Sequence, residues 1–237
     1  DAQGQAPPRI SHRADASVNP ASVMKLVGTY AALDLLGPAF TWRTPVLLDG
    51  PVRNGTLAGN LYLRGQGDPT LVAERLWLLM RRVRALGIER IGGDIVLDHG
   101  AFALSPTDPG GFDGEPLRPY NVAPDALLLN YKSVVMTFVV DRSANLARIH
   151  VNPPLAGVEV PASVPLSGTE CGDYRSVLRA DFSDPLKVRF GGSYPAACQE
   201  KTWAVAFADP ASHAARAVAG MWREVGGQLG GTVHDGP

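Results

Sequence analysis

Hydrophobic and polar positions follow helical spacing in three parts of the chain, namely residues 23–36, 71–86 and 211–225. Gly37-Pro38 ends the first run and Gly87 ends the second. Glycine commonly ends a helix because it adopts the left-handed conformation beyond the last turn without strain. Asn19 is a favoured N-cap and Pro20 a favoured first helical residue. We therefore predict three helices, the first of which begins just after Asn19.

Between the predicted helices, apolar and polar residues alternate with a period of two. From Thr44 to Leu63 the alternation is interrupted at Asp49-Gly50 and Asn54-Gly55, dipeptides that favour tight turns between antiparallel strands. Further strands are predicted at residues 91–97, 134–140, 147–151 and 229–233. Residues 98–125 are rich in Gly, Pro and Asp, and we predict a long ordered loop there.

The order of these elements indicates that one domain is inserted into another. A first helix is followed by about 160 residues of mostly β pattern and then by a last helix. A change of architecture on this scale is typical of an insertion. We therefore predict an α+β multidomain fold in which a helical segment is interrupted by a β-rich insertion.

Composition and charge exclude several function classes. The chain has 237 residues, of which 45% are hydrophobic and 19% charged, and its formal net charge is −1. This balance gives no electrostatic basis for binding nucleic acid or an anionic membrane. No apolar run approaches the roughly 20 residues of a transmembrane segment, and no signal peptide is present. We interpret the local cluster of Arg81, Arg82 and Arg84 as the solvated face of a helix.

Metal and cofactor chemistry has no support in the sequence. The five histidines fit no metal-ligand spacing, and no nucleotide-binding loop is present, so we predict no metal and no cofactor. The two cysteines, Cys171 and Cys198, form either a disulfide or a pair of buried thiols. A bond between them would stabilise the fold by about 3 kcal/mol and would imply an oxidising compartment.

One short motif at the start of the first predicted helix carries candidate chemistry. In Ser22-Val23-Met24-Lys25 the serine and the lysine lie on one face of a helix, so the amine can reach the hydroxyl. A serine becomes nucleophilic when a base takes its proton, and a lysine is that base when its pKa is lowered. Backbone N–H groups at the helix start would stabilise an acyl intermediate. An isolated S-x-x-K is most simply a solvent-exposed pair, but this is the chain's only one, and it lies in a capped first turn.

Longer segments around this motif resemble a known family. Asn19 to Leu26, Tyr30 to Leu33 and Leu36 to Pro38 are similar to the low-molecular-mass (class C) penicillin-binding proteins with inserted domains, which are serine D-Ala-D-Ala carboxypeptidases/endopeptidases. The similarity spans nearly the whole chain and continues in Gly59-Asn60-Leu61, Gly67-Asp68-Pro69-Thr70-Leu71, Gly92-Gly93-Asp94, Tyr120-Asn121-Val122-Ala123-Pro124 and Gly191-Gly192-Ser193-Tyr194-Pro195.

The resemblance implies a partial penicillin-binding transpeptidase-like domain, interrupted by a β-rich α/β insertion that holds a small nested β domain. The expected boundaries are an N-terminal part of the catalytic domain at 1–44, an inserted domain with strands and a helix (71–87) at 45–133, a nested β domain with return strands at 134–205, and a return toward the catalytic domain at 206–237. The resemblance also implies that Cys171 and Cys198 are paired in the nested domain.

The same resemblance implies an activity and a location. Ser22 is the expected nucleophile and Lys25 its base, acting without a cofactor on peptidoglycan stem peptides. β-Lactams are the expected covalent inhibitors, and the expected location is the periplasm after export. The sequence does not determine the oligomeric state or the preference between carboxypeptidase and endopeptidase activity.

Two further motifs of the family, S-x-N and K-T-G, have no convincing counterpart here. Ser143-Ala144-Asn145 matches the first literally but lies in a turn of the insertion, and Ser17-Val18-Asn19 precedes the tetrad. Lys201-Thr202-Trp203 lacks the glycine of the second. We therefore expect the chain to be an inactive fragment of a protein roughly twice as long.

A second candidate site lies in the long loop. In the resembled family an acidic and an aromatic residue of the insertion recognise the cationic end of the diaminopimelate side chain. Glu115 and Tyr120 hold the matching spacing, with Asp113 as an alternative acid. A carboxylate suits an ammonium group, and an aromatic ring covers an aliphatic stem. The alternative is an ordinary solvated loop.

Two other functions compete with a carboxypeptidase. A β-lactamase-like hydrolase shares S-x-x-K, but β-lactamases carry S-D-N closer to the tetrad than this insertion allows. A non-catalytic cell-wall-binding module is the other alternative, with the insertion binding glycan and the tetrad inactive.

Overall fold

The computed structural model describes residues 10–237, which divide into two units at Thr41 and Trp42. In the first unit a single 3₁₀ turn, Ala21–Val23, leads into helix α1, Met24–Leu36. Gly37 follows with φ of 77°, and its N–H donates a hydrogen bond to the carbonyl of Leu33 at 3.0 Å. The predicted first helix and its glycine stop are confirmed. The part of the predicted domain 1–44 that precedes residue 10 lies outside the described residues.

The second unit begins with strands and one helix. These are β1 (Val46–Leu48), β2 (Val52–Arg53), β3 (Thr56–Leu57), β4 (Leu61–Arg64), α2 (Ala73–Ala85), β5 (Arg90–Ile91) and β6 (Ile95–Asp98). Asn54 and Gly55 both have positive φ, 48° and 76°, in the hairpin between β2 and β3. The predicted hairpin turn and the helix ending before Gly87 are confirmed.

The C-terminal end of the chain completes the same fold. Helix α4 spans Pro210–Glu224 and is followed by β14 (Gln228–Leu229) and β15 (Val233–Asp235). The sheets run in the orders β1-β4-β6-β15 and β14-β5-β3-β2, with β15 parallel to β6 and β14 parallel to β5. Residues 206–237 therefore share a sheet system with residues 46–98, although the sequence analysis assigned them to a separate returning segment.

Three chain segments pass from one of these sheets to the other through equivalent three-residue links. The links are Ala58-Gly59-Asn60 between β3 and β4, Gly92-Gly93-Asp94 between β5 and β6, and Gly230-Gly231-Thr232 between β14 and β15. The predicted single strands at 91–97 and 229–233 are therefore wrong. Each of these segments forms two short strands separated by a link. The glycines of the links lie so close to the neighbouring link that a side chain would not fit there.

Side chains lock the three links together in a row. Asp49 accepts a hydrogen bond from the N–H of Asn60, and Asn60 Oδ1 accepts one from the N–H of Asp94 at 2.8 Å. Asp94 Oδ1 in turn accepts one from the N–H of Thr232 at 2.7 Å, which holds the pKa of Asp94 below its ordinary value. These bonds pair backbone donors that the break between the sheets would leave unpaired.

The middle of the chain forms a five-stranded sheet and a short two-stranded one. Its elements are β7 (Ser133–Asp141), β8 (Leu146–Asn152), β9 (Ser163–Ser167), α3 (Tyr174–Leu178), β10 (Ala180–Asp181), β11 (Arg189–Phe190), β12 (Tyr194–Pro195) and β13 (Glu200–Ala206). Five of the strands pair in the order β12-β9-β8-β7-β13, and β10 pairs with β11. The strands predicted at 134–140 and 147–151 are confirmed. Helix α3 has no counterpart in the prediction, because five residues give too short a period to detect.

Two hydrophobic cores hold the second unit. The first joins α2, α4 and the parallel strands around Leu57, Ile95 and Trp222. The second lies under the β7–β13 sheet, where Phe138 and Tyr194 stack with ring centroids 5.4 Å apart. These two cores correspond to an α/β part and a β part, as the α+β multidomain prediction required. The numbered domain boundaries themselves stay a prediction.

Candidate functional site

Ser22 and Lys25 lie where the first unit begins its helix. Nζ of Lys25 donates a hydrogen bond to Oγ of Ser22 at 3.0 Å. The spacing of three residues produces this contact, because one helical turn superposes the two side chains. Both residues are exposed. The same two atoms are also in position for proton transfer, in which an unprotonated amine accepts the hydroxyl proton of Ser22.

The backbone before Ser22 is fixed by a short cap. Oδ1 of Asn19 accepts a hydrogen bond from the N–H of Ala21 at 2.9 Å, and the N–H of Val23 donates to the carbonyl of Pro20 at 2.9 Å. Ala21 has φ of 44°, a conformation that costs a residue with a Cβ energy. Ser22 therefore directly follows a residue with a strained backbone, in the turn that leads into α1, and strained residues of this kind cluster at functional sites.

In the long loop the structure brings together Asp113 and Tyr120. The hydroxyl of Tyr120 donates to Oδ2 of Asp113 at 2.8 Å, while Oδ1 of Asp113 accepts from the N–H of Glu115 at 2.9 Å and from Asn121 at 2.7 Å. Desolvation acts to raise the pKa of Asp113, but these hydrogen bonds outweigh it and keep that pKa below its ordinary value. Asp113 thus holds this part of the loop together by accepting three hydrogen bonds.

Glu115 has a different environment in the same loop. Its carboxylate lies 3.6 Å from Nε of Arg118, and its side chain is 58% exposed. The Tyr120 ring is 68% exposed, and the hydrogen bond to Asp113 raises the pKa of its hydroxyl. Of the two acids considered from the sequence, Glu115 is therefore the more exposed, with one ion-pair partner, whereas Asp113 accepts three hydrogen bonds.

A charged cluster that the sequence analysis missed joins the two ends of this loop. Nδ1 of His99, at the start of the loop, bonds Oδ1 of Asp125 at its end, and Oδ2 of Asp125 lies 2.8 Å from Nζ of Lys132. Nε2 of His99 also lies 3.3 Å from Oδ1 of Asp235 in β15. The bond to Asp125 raises the pKa of His99. No sequence signal links these residues, because the fold alone brings positions 99, 125 and 235 together.

The two cysteines are bonded. Cys171 and Cys198 form a disulfide across a sequence separation of 27, beside the second core. Of the two interpretations left open by the sequence, the disulfide is confirmed and the pair of buried thiols is wrong.

Of the near matches to S-x-N and K-T-G, Ser17-Val18-Asn19 lies just before the turn that leads into α1, and the other two lie in the second unit. Ser143 and Asn145 lie in the turn between β7 and β8, where Ser143 donates a hydrogen bond to Asp141 at 2.6 Å. Lys201-Thr202-Trp203 lies on β13. Within residues 10–237 no helix is long and apolar enough to cross a bilayer, and no group of three His, Cys, Asp or Glu side chains is placed to hold a metal ion.

Comparison with known proteins gives a match along nearly the whole chain. The model of the D-Ala-D-Ala carboxypeptidase 3 (S13) family matches residues 3–236. The chain is 39% identical over 83 residues to the D-alanyl-D-alanine carboxypeptidase DacB of Haemophilus influenzae, a match covering 35% of this chain and 17% of that protein. It is 42% identical over 80 residues to a D-alanyl-D-alanine carboxypeptidase of Actinomadura sp. (strain R39), covering 33% of this chain and 15% of that protein.

Solved structures support the fold. The crystal structure of penicillin binding protein 4 (dacB) from Haemophilus influenzae matches with a TM-score of 0.63 at 23% identity, covering 92% of this chain and 48% of that one. The same protein complexed with a novel β-lactam matches with a TM-score of 0.55, covering 92% of this chain and 45% of that one. The chain thus spans about half the length of the structures it matches.

Proposed function

The chain belongs to the D-Ala-D-Ala carboxypeptidase 3 (S13) family, and we propose that it forms part of a serine D-Ala-D-Ala carboxypeptidase and endopeptidase of peptidoglycan metabolism. The observation that carries the proposal is the 3.0 Å contact between Nζ of Lys25 and Oγ of Ser22 at the start of a helix. The capped, strained turn before Ser22 supports it.

The proposed reaction is an acyl transfer in two steps. Oγ of Ser22 attacks the carbonyl carbon of the peptide bond between the two D-Ala residues, while the unprotonated Lys25 amine takes the hydroxyl proton. The C–N bond breaks, the leaving amine takes up a proton, and an ester on Ser22 remains. Water then attacks the ester and releases the shortened peptide. Backbone N–H groups of the first helical turn stabilise the oxyanion.

The complete reaction requires groups that this chain does not supply. The sequence contains no Lys-Thr-Gly, the motif that by family resemblance binds the substrate carboxylate and completes the oxyanion hole. Of the two S-x-N matches, Ser17-Val18-Asn19 precedes Ser22 and Ser143-Ala144-Asn145 lies in the turn between β7 and β8. We therefore propose that S-x-N and K-T-G motifs of the whole protein complete the site, and that the 237-residue chain alone reacts slowly or not at all with β-lactams.

Labelling with a fluorescent penicillin tests this function. The full-length protein is expected to be labelled, Ser22→Ala to lose the label, and the matched variant Ser17→Ala to keep it. Label on Ser22→Ala would remove Ser22 as the nucleophile, and strong labelling of the 237-residue chain would contradict the requirement for further motifs. Slow turnover of nitrocefin by the full-length protein distinguishes it from a β-lactamase, and muropeptide binding without acylation would favour a wall-binding module.

For the long loop, we propose that Glu115 and Tyr120 recognise the cationic end of the stem-peptide side chain. The support is that Asp113 is engaged within the loop, whereas the Glu115 carboxylate and the Tyr120 ring are exposed. In the full-length protein, Glu115→Gln is expected to raise the KM for a diaminopimelate peptide and not for a peptide with an uncharged third residue. Equal changes for both peptides would contradict the assignment, and Glu170→Gln, in the loop between β9 and α3, is the control.

The proposed location is the periplasm. The Cys171–Cys198 disulfide supports it, because such bonds form and persist in oxidising compartments. Fractionation of the native host, with antibody detection of the full-length protein, tests this placement. Recovery with cytosolic markers would contradict it.

A further inference from the structure

Trp77 lies on the outer side of α2, between two shallow grooves. Its side chain is 39% exposed, although tryptophan is usually buried in a folded protein. One groove, of about 450 Å³, is lined by apolar Leu78 and Met221 and by polar Glu74 and Asn152. The other, of about 570 Å³, is lined by Arg81, Arg84 and Glu89, and both grooves include Trp77 and Glu224. The indole is therefore a wall that both grooves share.

The grooves are lined by carboxylates that have no ion-pair partner in the described part of the chain and by two arginines. Nη1 of Arg84 is buried, and no hydrogen-bond acceptor among residues 10–237 reaches it. No ion pair within the same described range holds the carboxylates of Glu74, Glu89 or Glu224. Nη1 of Arg84 has no exposed surface, so a ligand can pair with it only when the side chain moves. Arg81 already has a partner, since its guanidinium carbon lies 4.9 Å from the centroid of the Trp77 ring.

The balance of these groups selects the class of ligand. Together the two grooves are lined by two arginines and three glutamates, so they have no positive excess and do not favour a polyanion. Hydroxyl groups both donate and accept, and they therefore suit a site that offers arginine and asparagine donors beside glutamate acceptors. Arg81 lies over one face of the indole, and the exposed remainder of Trp77 offers apolar surface to a sugar ring. Grooves on both sides of the indole suit a ligand that continues past it.

We propose that the Trp77 grooves bind a linear, uncharged oligosaccharide whose sugar ring packs on the indole. If the proposed function holds, this ligand is the glycan strand of the same peptidoglycan whose stem peptides are cleaved. The site lies on the second unit and uses none of Ser22, Lys25, Glu115 or Tyr120. It would hold the protein on its polymeric substrate independently of catalysis. The arginine cluster assigned from sequence to a solvated helix face would then be divided, with Arg81 and Arg84 in the site and Arg82 outside it.

Isothermal titration of the 237-residue chain with chitotetraose tests the proposal, with sedimentation onto insoluble peptidoglycan as a second measurement. We expect binding that changes little with salt, since the ligand is uncharged. Trp77→Ala is expected to weaken it about tenfold or more, and Trp77→Phe to weaken it less, because phenylalanine keeps an apolar ring. Arg84→Gln is expected to weaken binding, whereas the matched variant Arg82→Gln, on the same helix but outside the grooves, should leave it unchanged.

Three outcomes would overturn the proposal. These are no binding of either sugar polymer, equal binding by the wild type and a folded Trp77→Ala variant, or salt-sensitive binding of polyglutamate in place of chitotetraose. Thermal unfolding of each variant identifies any loss of fold, and Trp77→Phe and Arg84→Gln keep the test decisive if Trp77→Ala unfolds. Failure here is distinct from failure of the proposed function, because penicillin labelling at Ser22 is measured separately.

Discussion

Helices α1 and α2 have the same length, 13 residues each, and opposite surroundings. Helix α1 buries none of its residues and exposes Leu26 and Tyr30 by 72% and 71%. Helix α2 buries one apolar stripe that includes Leu76 and Met80. The sequences show why. Apart from Lys25 and Asp34, α1 has no charged residue, whereas α2 carries five on its outer side, namely Glu74, Arg75, Arg81, Arg82 and Arg84.

This difference teaches what each helix is built to contact. An amphipathic helix needs one apolar neighbour, and α2 has it in the first core. A helix that is apolar on all sides is typical of the interior of a large domain. The exposed leucines of α1 therefore agree with the proposal that further parts of the whole protein complete the site around Ser22 and Lys25.

The largest expected effect is a difference in core substitutions between the two helices. Met80 is fully buried in α2, so Met80→Ala should lower the free energy of unfolding by about 3 kcal/mol through lost burial and a cavity. Leu26→Ala on α1 should change it by less than about 0.5 kcal/mol in this 237-residue chain. Urea unfolding measures both. Similar losses for the two variants would break the comparison.

The disulfide sharpens the comparison, because only the second unit is cross-linked. Replacing Cys171 and Cys198 together by Ala should lower the free energy of unfolding by about 3 kcal/mol, since the bond restricts the unfolded chain across 27 residues. Urea unfolding of the wild type in reductant is the control and should match the double variant. An unchanged midpoint in reductant would show that the bond does not stabilise this core.

Acidification should also destabilise the second unit, because it protonates His213 of α4. This ring is fully buried, and burial lowers its pKa to about 4. The unfolded chain then binds a proton that the folded chain does not bind, so stability falls as the pH drops from about 6.5 toward 4, by on the order of 3 kcal/mol. Thermal unfolding across this range measures the slope, which His213→Leu should flatten. An equally steep slope in that variant would exclude His213 as the cause.

His99 should show a smaller dependence of the opposite sign. Its pKa is raised by Asp125, so its protonated form stabilises the fold below the ordinary histidine pKa, and this contribution is lost as the pH rises through the raised value. The wild type should therefore exceed His99→Gln in stability by more at about pH 6 than at about pH 9. Lys132, which contacts Asp125, and Asp235, which contacts the His99 ring, remain in the variant. A constant difference across pH would contradict a charged His99.

Helices were predictable and the strand breaks were not. Residues 23–36, 71–86 and 211–225 carry a strong period and clear stops, and all three form helices within a few residues of the prediction. The sequence predicts continuous strands across Gly92-Gly93 and Gly230-Gly231, because apolar residues flank these glycines on both sides. Only the neighbouring link makes these glycines necessary, and that neighbour is distant in sequence.

The candidate site was predictable where its residues are local. Ser22 and Lys25 meet because one helical turn separates them, and the Asp113–Tyr120 contact also joins nearby positions, although the sequence favoured Glu115 as the partner acid. No sequence pattern indicates the cluster of His99 with Asp125, Lys132 and Asp235, since its contacts depend on strands and loops far apart in the chain. The exposure of Trp77 was equally hidden, because an apolar residue in a helix is most simply assigned to the core.

By itself the sequence determined the helices, the alternating strands, the contact between Ser22 and Lys25 and the family, because each depends on neighbouring residues or on motifs that can be read in order. The tertiary structure alone decided which strands share a sheet, that residues 206–237 complete the first core, and which charged groups meet. The physical reason is that these choices depend on contacts between distant positions. Apolar burial and paired backbone groups select among such contacts only when the whole unit is assembled.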